Sequence, residues 1–312
     1  MTGRDRFFKA LRFEEPDRPP HFEAMFELER EAFGLAFPDR NGWATDRERK
    51  IASCMEIYER IVETYQWDAL PVYWPWGDPD GIAAARRTFG NRIAIGAMVG
   101  AGVWCIDTIS DWGQFADELF HDRAKIHQEA ERRCRAAQES IDRLVGAGAD
   151  FVFLPHDVAH NMGPFCSPSD FAEIVTPYLA RVVARVKERG ALAIFHSDGN
   201  LMSILDQILF CQPHALHSID PMAGMDIAEV KRRTYPKIAL MGNVQCNLLQ
   251  DGPLSEIRRS ALYCLEHGAP GGGYIFSTSN TIFPGMPLAH YEYMLAVFRE
   301  FCRESGARGQ QP

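Results

Sequence analysis

Residues 192–200 read LAIFHSDGN, and residues 201–210 continue as LMSILDQILF. Four apolar positions run into His196, Ser197, Asp198, Gly199 and Asn200, after which the apolar residues recur with helical spacing. A short apolar run closed by turn residues and followed by a 3.6-residue period reads as buried strand, tight loop and helix. His196 and Asp198 therefore fall where the strand stops.

The same unit recurs along the chain. Apolar runs FVFLP (151–155), ALAIF (191–195), ALHSI (215–219), KIALM (237–241) and YIFST (274–278) alternate with helical patterns that carry start and stop signals. Ser167 is placed to cap a helix with Pro168 at its first position and Asp170 in its first turn, and Thr176-Pro177 restarts a helix that ends at Gly190. Asp226 and Glu229 have capping-box spacing, and a further helix closes on His267 and Gly268. Strands alternating with helices imply a parallel sheet. RPPHFEAMF (18–26), WDALPVYW (67–74) and RIAIGAMVG (92–100) supply three more strand candidates, and eight units predict a single (β/α)8 barrel over residues 1–312 rather than an open doubly wound sheet. No GxGxxG follows a strand, which argues against dinucleotide binding.

Composition narrows the partners. With 46% hydrophobic residues and 24% charged ones, the chain can bury a large core. Its 33 Lys and Arg against 42 Asp and Glu give a formal charge of −9, with no basic run for a nucleic acid or an anionic membrane. The longest nearly uncharged stretch, residues 93–106, is too short to span a bilayer, and the start does not read as a secretory signal, so a cytoplasmic location is expected. Eight scattered cysteines without a CxxC pair point to reduced thiols.

In a barrel of this kind, residues just past the carboxyl ends of the strands line the active-site mouth. Those positions hold His156, Asp157 and His160 after the run at 151–155, His196 and Asp198, His217 and Asp220, Asn243, Asn280, and Tyr73, Trp74 and Trp76. Four of the ten histidines thus lie at strand ends, a clustering that favours a site. Structural roles compete at several positions: Asn200 as a helix cap, Gly199 as relief for a tight turn, His217 as a ring on the barrel wall, His160 as a solvated loop residue, and Trp74 and Trp76 as mere cover for the mouth.

The chain resembles the uroporphyrinogen decarboxylase superfamily, which holds porphyrinogen decarboxylases and corrinoid-linked methyltransferases. The resemblance runs over nearly the whole chain, through RDRFFKALRFEEPDRPP, HDVAHNMGPFCSPSDFAEIVTPY, HSDGNLMSIL, IALMGNVQCNLL and GAPGGGYIFSTSNTIFPGMP. It implies a (β/α)8 barrel with the site at its mouth. The Arg-rich RQAGR segment of the decarboxylases is replaced by FEAMFELER, which puts Glu23 and Glu27 where cations would hold a tetrapyrrole; the FSDI aspartate has no clear counterpart in VYWPWGD, and the GHGI histidine aligns with Asn280. In the methyltransferases a His-x-Cys motif and a later Cys bind zinc; His196 matches the His, while Asp198 and Asn280 stand in place of the thiolates. The resemblance does not by itself choose between the two chemistries; the departures from the decarboxylase pattern favour a methyltransferase passing a methyl group from a methylated or methoxylated compound to a corrinoid protein or similar acceptor, with a decarboxylase and a non-catalytic binding barrel as alternatives. His196, Asp198 and Asp157 are the expected catalytic residues. Glu23, Tyr73, Trp74, Trp76, His156, His160, His217, Asn243 and Asn280 are expected around a small-molecule substrate, and His196 and Asp198 as ligands of zinc or another divalent metal. Metal binding and acid/base chemistry by a His196–Asp198 pair both remain open at this point.

Overall fold

Seven parallel strands in sequence order form one curled sheet: β1 (Ala69–Val72), β2 (Ala94–Met98), β3 (Phe151–Pro155), β4 (Leu192–Ser197), β5 (Ala215–Ser218), β6 (Ala239–Val244) and β7 (Tyr274–Thr278). The computed structural model describes residues 1–39, 43–100 and 102–308. Nearly every strand position is buried, as expected of parallel strands covered on both faces. Long helices make the crossovers, among them Pro79–Phe89, Arg123–Gly146, Thr176–Glu188 and Leu254–Gly268. All eight cysteines are free. Among the described residues, no helix is long and apolar enough to cross a membrane.

The helix signals are realised with two differences. Ser167 Oγ accepts from the Asp170 amide, and Asp226 Oδ1 accepts from the Glu229 amide. The Glu229 carboxylate, however, pairs with Arg232, so Asp226 caps its helix without the reciprocal half of a capping box. After β4 the helix begins only at Leu205; Asn200 instead closes a turn by accepting from the Met202 amide.

The expected first strand, residues 18–26, is not a continuous strand. It touches β7 and the loop beyond through two isolated bridges, His21 with Phe276 and Phe26 with Ile282. On its other side the His21 carbonyl accepts from the Asp68 amide, just before β1. Pro19 and Pro20 have no N–H to give a ladder. The Thr278 amide, which a regular neighbour would receive on a carbonyl, donates instead to the Glu23 carboxylate. The sheet therefore has seven strands and an extended segment beside them, in place of the eight strands that the sequence pattern suggests.

Asp68 ties that segment to β1. Its carboxylate accepts from Arg6, from Arg18 and from the His21 amide, and its side chain is almost fully buried. Removing one member of a buried ion cluster strands the remaining charges, so Asp68→Ala should cost about 3–5 kcal/mol in denaturant unfolding. Glu131→Ala, which removes a surface pair with Arg181, should cost much less. Equal midpoints for the two variants would show that the clasp is not what holds the segment in place.

Candidate active site

Parallel register builds the site. Pro155 of β3, His196 of β4 and His217 of β5 lie side by side, so their side chains form one row on one face of the sheet. Phe153, two residues below Pro155, lies 5.9 Å from the His196 ring and 5.3 Å from that of His217, giving the row an apolar floor. The two imidazoles are neighbours, with Nδ1 of His196 2.7 Å from Nδ1 of His217, and Nε2 of His217 is 3.3 Å from the Thr278 carbonyl. Burial holds the His217 pKa well below the usual histidine value, the nearby His196 adding to the shift.

Nε2 of His196 faces two carboxylates. Asp157 Oδ1 lies 3.6 Å from it and Asp198 Oδ1 3.9 Å, and the three groups can bring one ligand atom each within 4.8 Å of one another. Asp198 is held from three directions: its amide donates to Asp157 Oδ1, Ser218 Oγ donates to its Oδ1, and Asn280 Nδ2 donates to its Oδ2. Burial pushes the Asp198 carboxyl above the ordinary aspartate value; His196 opposes that shift and Asp157 reinforces it. Gly199 makes the turn possible. It has φ +83°, and a Cβ there would stand 2.5 Å from the Ala159 carbonyl oxygen, because the loop packs on the backbone of the short hairpin formed by 159–160 and 163–164.

Of the strand-end residues, the structure brings Asp157, His196, Asp198, His217 and Asn280 together. It adds Ser218 and the Thr278 carbonyl, which the sequence reading passed over although both lie at strand ends. His156 does not join them. Fully buried, it accepts on Nε2 from the Gly102 amide, and a Cβ on Gly102 would meet Ala137 and Val182, so the ring sits between the sheet and the helical layer. One residue beyond the inward row, it points the opposite way. Asn243 also turns outward, donating to the Ile219 carbonyl and accepting from the Cys264 thiol of helix Leu254–Gly268. His160 is exposed on the hairpin, 6.3 Å from Trp112. Tyr73 and Trp74, with Met25, Glu27, Phe37 and Pro284, line a separate cavity of about 490 Å³, and Trp76 is exposed. The Tyr73 hydroxyl donates to the Phe26 carbonyl, and the Trp74 indole donates to that of Pro38.

A curled parallel sheet with imidazoles and carboxylates converging past its carboxyl ends is the layout in which barrel-type enzymes carry their sites. The chain belongs to the uroporphyrinogen decarboxylase family, whose profile, described as Uroporphyrinogen decarboxylase (URO-D), matches residues 80–301. The uroporphyrinogen decarboxylase of Anaeromyxobacter sp. (strain Fw109-5) is 26% identical over 229 residues, covering 70% of this chain, and this chain spans only 63% of that relative's length. The enzyme of that name from Anaeromyxobacter dehalogenans (strain 2CP-C) is 25% identical over 243 residues, covering 75% of this chain and 67% of its own. Among solved structures, a methyltransferase from Methanosarcina mazei superposes with a TM-score of 0.75 at 18% identity, covering 96% of this chain and 99% of its own, a likeness of fold.

Glu23 has no exposed surface and cannot reach a ligand in the mouth as the structure stands. Its Oε2 accepts from the Thr278 amide and hydroxyl, its Oε1 has no partner among the described residues, and burial pushes its pKa up to about 8. Because the folded value lies above the ordinary 4.5, the neutral acid is the better-folded form, and the wild type loses stability as pH rises from there towards 8. Glu23→Gln keeps an acceptor for both Thr278 donors and carries no charge. Its thermal midpoint should match or trail the wild type in acid and overtake it at alkaline pH; a pH-independent gap would refute the buried neutral acid.

Proposed function

We propose that the protein is a small-molecule methyltransferase that takes a methyl group from a methylated or methoxylated substrate and passes it to a corrinoid protein or similar acceptor, with a divalent cation held by Asp157, His196 and Asp198. The observation that carries this reading is the donor set. One imidazole nitrogen faces carboxylate oxygens at 3.6 and 3.9 Å, separations too long for hydrogen bonds. Among the described residues, no Lys or Arg hydrogen-bonds or ion-pairs with Asp157 or Asp198, so their charge is left for a cation to balance. Imidazole with carboxylates is a harder set than one containing thiolates and suits zinc, iron or manganese.

When bound, such an ion would supply Lewis acidity, stabilising the negative charge that develops on the substrate atom that loses the methyl group. The chain's own residues do the positioning. Ser218 and Asn280 fix both oxygens of Asp198, the Asp198 amide fixes Asp157, and Phe153 keeps water from beneath the imidazoles. A site whose acids, among the described residues, pair with no Lys or Arg is poorly complementary to a polycarboxylate such as a tetrapyrrole. The second reading, a carboxy-lyase with His196 as acid or base, has the names of the curated relatives in its favour.

Elemental analysis of untagged protein purified without chelators should find a stoichiometric divalent metal. Asp198→Asn should lower Co²⁺ affinity by at least roughly 10–100-fold, the loss typical of removing even an outer partner of a metal ligand. Methyl transfer from methoxylated compounds to a corrinoid acceptor should fall with it, while the circular dichroism stays unchanged, because Asp198 caps no helix. Metal-free wild type with undiminished turnover in Asp198→Asn would end the cation reading, and conversion of uroporphyrinogen to coproporphyrinogen would install the carboxy-lyase.

A further inference from the structure

We infer that His217 is a positioning residue that locks His196 in the Nδ1–H tautomer, so that the bare Nε2 nitrogen of His196 points at Asp157 and Asp198. The value of that arrangement to the protein rests on the cation reading above; the tautomer itself does not. The argument starts at Thr278. Its carbonyl can only accept, so the His217 Nε2 lying 3.3 Å from it must carry the hydrogen. His217 has no exposed surface, its ring packs on Phe153, and no carboxylate pairs with it among the described residues. A buried imidazolium without a counter-charge is disfavoured, so His217 is neutral and has one N–H, already given to Thr278.

Nδ1 of His217 is then an acceptor. The 2.7 Å contact between the two Nδ1 atoms requires one proton, and only His196 can supply it. With its single proton on Nδ1, the His196 ring presents a lone pair on Nε2, directed at carboxylates with lone pairs of their own. Metal-binding histidines commonly have the second ring nitrogen held by an outer partner that sets tautomer and ring orientation. Here that partner is another imidazole, itself anchored to a backbone carbonyl. The anchor is firm, since the Thr278 amide and hydroxyl both donate to the buried Glu23.

The test reads the tautomer directly. Long-range ¹H–¹⁵N spectra of the metal-free, ¹⁵N-histidine-labelled protein at mildly alkaline pH should show His196 with a protonated Nδ1 and an unprotonated Nε2. His217→Phe keeps a ring on Phe153 but removes both nitrogens; it should move the His196 proton to Nε2, next to the carboxylates, and weaken Co²⁺ binding roughly 10–100-fold. His217→Gln can still accept from His196 and donate to Thr278, and should restore both readouts. An Nε2–H tautomer in the wild type overturns the proposal, as does His217→Phe with the wild-type tautomer and affinity. Should the phenylalanine variant not fold, the wild-type spectrum and the glutamine variant still decide. A wild type with the Nδ1–H tautomer that binds no cation would remove the metal reading and leave the role of His217 standing.

Discussion

The register between β4 and β5 is the constraint from which the site follows. Pairing Phe195 with Leu216 puts His196 beside His217, and a one-residue slip would send one imidazole into the helical layer and the other into the interior. That register is enforced from below by apolar residues: Ile194, Ala215 and Leu216 are fully buried, as is Phe195, so any slip would expose the sheet's packing to polar side chains. The polar row at the top is thus set by hydrophobic matching beneath it. The same logic places Pro155 in the row and Asp157 within reach of His196.

Much of this could be read in the sequence because apolar runs of five residues bounded by polar ones leave little freedom. FVFLP and YIFST are strands β3 and β7 at the expected limits. His196, Asp198 and Asp157 were legible as strand-end polar residues. Asn280 was legible through the family resemblance, which aligns it with a site residue. The reading failed where position along a strand had to stand for direction across it. His156 and Asn243 lie at strand ends as expected, yet both face helices, and nothing local in the sequence says so. The first strand was overread for another reason. Its pattern is apolar enough, but two prolines and a glutamate that takes a neighbour's amide prevent a regular ladder, and such a tertiary bond does not show in a periodicity.

Ser218 illustrates a third kind of omission. Its φ of +84° and the +47° of Ile219 end β5 abruptly, and the hydroxyl donates to Asp198. Left-handed geometry at two consecutive non-glycine residues is unfavourable and is retained only where the surroundings impose it. Here it coincides with the loop that reaches the site carboxylate. The sequence HSID carries no glycine or asparagine at this point to announce the turn.

The two ends of the sheet treat negative charge in opposite ways. At the amino ends of the strands, Asp68 is answered by Arg6 and Arg18, and Asp150 by Arg4 and Arg86. Each of these acids also accepts a backbone amide, so the charge is both paired and hydrogen-bonded, which is what makes a buried ion tolerable. At the carboxyl ends, Asp157 and Asp198 receive an amide, a hydroxyl and a carboxamide, which satisfy lone pairs without supplying a full positive charge. Arginines answer the acids of the lower end, whereas among the described residues no Lys or Arg pairs with Asp157 or Asp198. On the proposed reading, that imbalance is what a cation or a cationic group would answer at the upper end, whereas the acids of the lower end are already paired within the fold.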